Sequence, residues 1–140
     1  MFELGHLHKL TPPADLDKRL PHCNHAAVKT WAYGSKHYPC PIVLALDRLA
    51  GKWKTNILWH VHNGTRRFNA ICRALPSVNR GVILRQLRAL ERDGLLARRD
   101  LTAGRVRHVE YCFTPQAEAL SPAILALAEW GNRFGQPVAG

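Results

Sequence analysis

A chain of 140 residues with 46% apolar side chains has material for one modest hydrophobic core and not for a second full domain. No apolar run approaches the roughly 20 residues of a membrane span, and polar interruptions in Met1 to Leu10 argue against a signal-peptide core, so a cytoplasmic protein is expected. The net charge of +10 is concentrated between Cys40 and Phe113, where fourteen basic residues stand against five acidic ones; such a field either attracts polyanions or is a solvated basic face.

Residues 1–39 hold five of the eight histidines and four of the nine prolines without a sustained apolar period, which predicts a partly irregular extension with room for one short helix over Ala26 to Tyr33. From Pro41 the spacing turns helical: Ile42, Ala45, Leu46 and Leu49 share a face, Pro41 suits a first helical position, and Gly51 ends the run. A second helix is predicted over Lys52 to His62, with Trp53, Ile57, Leu58 and Val61 inward as core packing and Asn63-Gly64 as its stop. Phe68, Ile71, Cys72 and Leu75 mark a short third helix closed by Pro76. Asn79 is a suitable N-cap for a fourth helix running to Asp93, whose inner stripe is Ile83, Leu87 and Leu90 and whose stop is Gly94. Arg80, Arg85, Arg88 and Arg92 lie off that stripe. Strands follow over Leu95 to Asp100 and Val106 to Phe113, joined as a hairpin by a turn at Ala103-Gly104. Thr114-Pro115 and Ser121-Pro122 each read as a helix start, which predicts two helices or one kinked helix ending near Phe134, with Leu120, Ile124, Leu127, Gly131 and Phe134 as its stripe.

A short helix, a tight turn, a longer basic helix and a hairpin with a basic tip form the element order of a winged helix-turn-helix. The expected fold is therefore mainly α with a small β-hairpin wing, an α+β architecture whose longer helix can enter the DNA major groove. Asn79, Arg80, Arg85, Gln86 and Arg88 are the candidate contacts on that helix, since Arg can bridge guanine acceptors and Asn or Gln can pair with adenine. Arg105, Arg107 and His108 near the wing tip are candidates for phosphates or a narrow minor groove. Eleven basic residues against three acidic ones between Arg66 and Arg107 favour double-stranded DNA over a solvated face. Gly81 in the first turn of the basic helix, which costs about 1 kcal/mol relative to Ala, reads equally as close backbone approach to DNA or as a tolerated surface glycine.

Two rival readings are an RNA-binding winged helix and a protein-interaction module that keeps only the fold. The outer faces of the basic helix and the wing lack the aromatics that stack RNA bases, and the basic residues whose loss would mark the second rival are present. No Gly-rich phosphate loop, nucleophile elbow or paired carboxylates point to an enzyme. The cysteines at 23, 40, 72 and 112 form no CxxC pair, so free thiols are expected. The cluster His22-Cys23-x-His25, and His37 near Cys40, have no complementary ligand pair and read as a histidine-rich arm, so neither metal nor cofactor is expected. Cys40 precedes Pro41 at a helix start, where unpaired N–H groups and the helix dipole favour a thiolate and Lys36 and His37 can add to the field; packing of a small residue there is the equal alternative.

The segment from Cys40 to Phe134 resembles the HxlR family of winged-helix regulators. The matching residues are Cys40-Pro41, Gly51-Lys52-Trp53-Lys54, Arg67-Phe68, Leu90-Glu91 with Asp93-Gly94-Leu95, Val109-Glu110-Tyr111, Thr114-Pro115 and Trp130-Gly131. The resemblance implies a domain over residues 40–134, flanked by the 1–39 extension and a 135–140 tail. It also implies a nucleoid-associated homodimer on a palindromic operator, with N- and C-terminal helices of two subunits packed together. Leu120, Ile124, Leu127, Trp130 and Phe134 are then the expected dimer interface, and the cysteine at position 40 is a sensor of electrophiles or oxidants in some family members; response to a non-covalent ligand is the alternative. Asn79 where Ser is common, Gly81 and Leu84 where polar residues are usual, and Cys112 where Ser is expected depart from the pattern, so the family's base preference does not transfer.

Overall fold

Trp31–Tyr33 (β1) and Lys36–Tyr38 (β2) form an antiparallel hairpin around Gly34, whose φ of +60° is open to a residue without a Cβ. This overturns the short helix expected to end at Tyr33. Half-buried Trp31 and Tyr33 alternate with exposed Ala32, and a period of two with aromatic side chains suits a strand. A computed structural model describes residues 30–138, so the earlier part of that expected helix lies outside the described residues. The chain divides into two units between Ala45 and Leu46.

The helix Pro41–Leu49 (α1) starts where Pro41 predicts, with the Leu44 N–H donating to the Cys40 carbonyl at 3.1 Å. Lys54–His62 (α2) begins two residues later than its apolar spacing suggests. Gly51 adopts a φ of +135°, and the Lys54 N–H closes a turn onto the Gly51 carbonyl at 3.2 Å before the helix can begin. Phe68–Ala74 (α3) and Arg80–Arg92 (α4) follow. Ile57, Leu58, Ile71, Ile83, Leu87 and Leu90 are fully buried in one cluster with Leu95 and Leu96, and α4 packs against α2 and α3. Each such side chain contributes roughly 1.5–3 kcal/mol relative to an exposed one.

Leu96–Asp100 (β3) and Val109–Phe113 (β4) pair antiparallel from Leu96↔Phe113 to Asp100↔Val109. Leu95 stays outside the strand because its N–H still bonds the Leu90 carbonyl at 2.9 Å, closing α4 over Gly94 at φ +72°. The second strand is shorter than expected, and Val106 pairs only with Ala103. Between them side chains take over the backbone: Asp100 Oδ1 accepts from the Thr102 N–H, and Thr102 Oγ1 from the His108 N–H. On the other edge of β4, Arg67 bridges Glu110 and the Tyr111 N–H donates to the Arg66 carbonyl at 2.9 Å.

Of the two forms expected for the C-terminal segment, one continuous helix is observed, Pro115–Phe134 (α5), with Pro122 inside it. Thr114 caps it by accepting from the Ala117 N–H at 3.3 Å while its hydroxyl donates to the Gly94 carbonyl at 2.6 Å. One side chain thus joins the end of α4, the base of the wing and the start of α5. Thr114→Ala should lower unfolding free energy by about 1–2 kcal/mol in urea denaturation, with Thr114→Ser restoring most of it; equal stability of the two variants would show the hydroxyl to be idle. Among the described residues, no helix is long and apolar enough to cross a membrane.

Candidate nucleic-acid interface

Helix α4 turns its apolar stripe inward, and at 100° per residue this sends Gly81, Arg85, Arg88 and Arg92 to the opposite, exposed face. Its first turn is capped by Asn79, whose Oδ1 accepts from the Gly81 N–H at 2.8 Å. A Cβ on Gly81 would lie 3.1 Å from that same oxygen. A side chain at this position would require the cap to give by a few tenths of an ångström.

Two of the expected helix contacts are engaged within the protein, and a third is half-buried. The Asn79 carbonyl oxygen is the cap, and Arg80 donates through Nη2 to Asn69 Oδ1 at 2.7 Å while lying over the Phe68 ring at 5.0 Å from its centroid. Gln86 is half-buried beside the apolar stripe, its Oε1 turned to the Gly51 corner. Arg85 and Arg88 remain exposed on the outer face.

In the wing, Arg105 and Arg107 are exposed near the tip, whereas His108 turns inward. Its Nε2 lies 2.7 Å from Glu110 Oε1 and its Nδ1 3.2 Å from Arg67 Nη2. A guanidinium can only donate, so in the neutral ring Nδ1 accepts and the proton sits on Nε2, facing the carboxylate; the protonated ring keeps the Nε2 hydrogen bond and adds its charge. The hydrogen bond from His108 is the main cause that holds Glu110 below its ordinary 4.5; partial desolvation opposes it, and the charges of His108, Arg67 and Arg66 reinforce it. A depressed carboxylate stabilises the fold fully above its ordinary value and loses that contribution as pH falls through the folded value. Protection of the wing amides, measured relative to their intrinsic exchange rates at each pH, should therefore fall below pH 4.5, and Glu110→Gln should flatten that dependence. An unchanged pH profile in the variant would assign the effect to another group, of which Asp100, lowered chiefly by its hydrogen bonds from Thr102, is the next.

An anchoring cluster escaped the sequence reading. Lys54 Nζ lies 2.7 Å from Asp93 Oδ2, and Arg48 Nη1 lies 3.5 Å from Asp93 Oδ1, so the residue that ends α4 is held by the end of α1 and the start of α2. The legible signal was position. Lys54 precedes Ile57, Leu58 and Val61 by three, four and seven residues, which places it on the buried stripe of α2.

Cys40 is half-buried immediately before α1, and Cys72 and Cys112 are buried. Cys23, His22 and His25 lie outside the described residues, and among the described residues no group of three His, Cys, Asp or Glu is placed to hold a metal. Leu120 and Ile124 pack against the core of their own chain. Leu127, Trp130 and Phe134 are exposed instead, and the Trp130 and Phe134 rings meet at 5.3 Å. On α1, Ile42, Val43 and Leu46 are exposed as well.

Residues 48–139 match the family model described as HxlR-like helix-turn-helix. An HTH-type transcriptional regulator of Methanothermobacter thermautotrophicus is 34% identical over 102 residues, covering 73% of this chain and 77% of that one. The HTH-type transcriptional regulator YdeP of Bacillus subtilis is 36% identical over 95 residues, covering 68% and 73%. The solved structure of the redox regulator HypR in its oxidized form is similar with a TM-score of 0.64 at 35% identity, over 71% of this chain and 100% of that one.

Proposed function

The chain belongs to the HxlR-like helix-turn-helix family and is a transcriptional regulator rather than an enzyme, and from that premise we propose that it binds a palindromic duplex operator as a homodimer. The observation that carries the reading is the row of Arg85, Arg88 and Arg92 on the face of α4 opposite its buried stripe, beside a wing with Arg105 and Arg107 at its tip. Arg85 and Arg88 are the base readers, since Asn79 and Arg80 are bonded within the protein and Gln86 is half-buried beside the apolar stripe. Arg105 and Arg107 contact phosphates or the minor groove, and His108 positions the wing behind them.

Anisotropy titrations of operator and scrambled duplexes test this. Arg85→Ala should cost roughly 1–3 kcal/mol on the operator and relax base preference, while Arg105→Ala should weaken all duplexes alike. Equal affinity for single-stranded RNA and operator duplex would instead select an RNA-binding module.

Cys40 is the site proposed for the signal, by reaction with electrophiles or oxidants. Its place before α1 and the likeness to a redox regulator support this. Limiting alkylation followed by mass spectrometry should label Cys40 ahead of Cys72 and Cys112, and Cys40→Ser should abolish release from DNA by diamide. Unchanged release in that variant would move the signal elsewhere.

A further inference from the structure

Beside the wing, a cleft of about 460 Å³ opens between α3 and the strand entering β4. Its lining carries Arg67, Arg73, Arg107 and His108 with Asn69, and no carboxylate. A second cleft of about 440 Å³ shares Arg67 with it but includes Glu110 in its wall. The first is the more basic of the two, because Glu110 lines the second and reaches the first only from behind Arg67 and His108, at 3.7 and 2.7 Å.

We propose that the cleft between α3 and the wing seats a phosphodiester of the DNA backbone, with Arg73 and Arg67 as its principal ligands. The proposal rests on the DNA-binding reading and adds to it a contact whose principal ligands lie on α3 and just before it, beside Arg107 of the wing. Three features of the site argue for it. Arg67 is 62% exposed, yet its guanidinium is aligned from behind by His108 at 3.2 Å and Glu110 at 3.7 Å, so less freedom is lost when it grips an oxygen. Asn69 on the cleft wall accepts a hydrogen bond from Arg80 in the first turn of α4 at 2.7 Å, so the cleft adjoins the start of the recognition helix. The volume exceeds that of a lone phosphate group, leaving room for the flanking sugars.

The test is a double cycle on protein and DNA. Duplexes carrying a single neutral methylphosphonate, moved along the operator, are titrated with wild-type protein and with Arg73→Gln and Arg67→Gln. One position per half-site should cost wild type roughly tenfold and cost Arg73→Gln almost nothing further, because the partner is already gone. Each variant should also reduce the slope of log K against log salt by about 0.9 and leave the ratio of operator to scrambled affinity unchanged. Penalties that multiply at every position, with wild-type slopes, would overturn the cleft while leaving DNA binding intact. Release by inorganic phosphate at fixed ionic strength, sensitive to Arg73→Gln while the methylphosphonate penalties still multiply, would assign the cleft to a free anion instead. Failure of the wild-type protein to bind any duplex would remove the underlying reading and the proposal with it. Arg73 is exposed, so its variant should keep the wild-type melting curve; Arg67→Gln also loosens His108 and serves as the second arm.

Discussion

Trp130→Glu together with Phe134→Glu should leave a folded monomer whose operator affinity is lower by a factor on the order of 100 to 10,000. Both side chains are large, exposed to 64% and 59%, and in tilted contact with each other near the end of α5, where they contribute little to the core of their own chain. Exposed apolar area of this kind is what an association surface supplies. If two recognition helices read a two-fold operator, joining them makes the second half-site an intramolecular partner, and linkage of that sort raises avidity by roughly 10²–10⁴. Sedimentation should then show the monomer, and half-site affinity should match wild type. A variant that remains dimeric, or a monomer that binds the full operator undiminished, would reject this face as the interface. Leu120 and Ile124 are unsuited to the same experiment, because they pack inward and charge there would unfold the protein.

Asp93→Ala should be the most destabilising single polar substitution among those considered, with a loss of about 3 kcal/mol. Lys54 is only 9% exposed, and its ammonium is paired with Asp93 at 2.7 Å. Removing one partner of a buried pair leaves the other charge desolvated, which typically costs about 3–5 kcal/mol; the partial exposure of Asp93 places this case at the lower end. Arg48 keeps Asp47, so the cost centres on Lys54. Lys54→Met in the Asp93→Ala background should recover part of the loss, because an apolar side chain of similar length tolerates the site. The measurement is the urea midpoint at constant m-value. A loss below about 0.5 kcal/mol would mean that the pair behaves as a surface ion pair.

Helix α4 shows why some of this protein was legible in its sequence. Its Asn cap, its apolar period of three and four and its terminal glycine are all local signals, and each points to the same helix. The wing was legible for the same reason, since alternation through Val109, Tyr111 and Phe113 and a glycine turn need no distant partner. The helix expected to end at Tyr33 failed over its described end, Trp31–Tyr33, where three residues of aromatic alternation prevailed beside Gly34.

The order of elements, the inward stripe of each long helix and the basic character of the outer face follow from local patterns in the chain. Which basic and polar side chains are engaged within the protein depends on contacts that folding creates. Arg80 meets Asn69 across 11 residues of chain, Lys54 meets Asp93 across 39, and Arg67 meets His108 across 41. Apolar periodicity reports a face, because every residue on that face is driven to the same core. The orientation of a long polar side chain is set instead by whichever donor or acceptor the fold brings within about 3 Å of it, and that partner has no fixed spacing in the sequence.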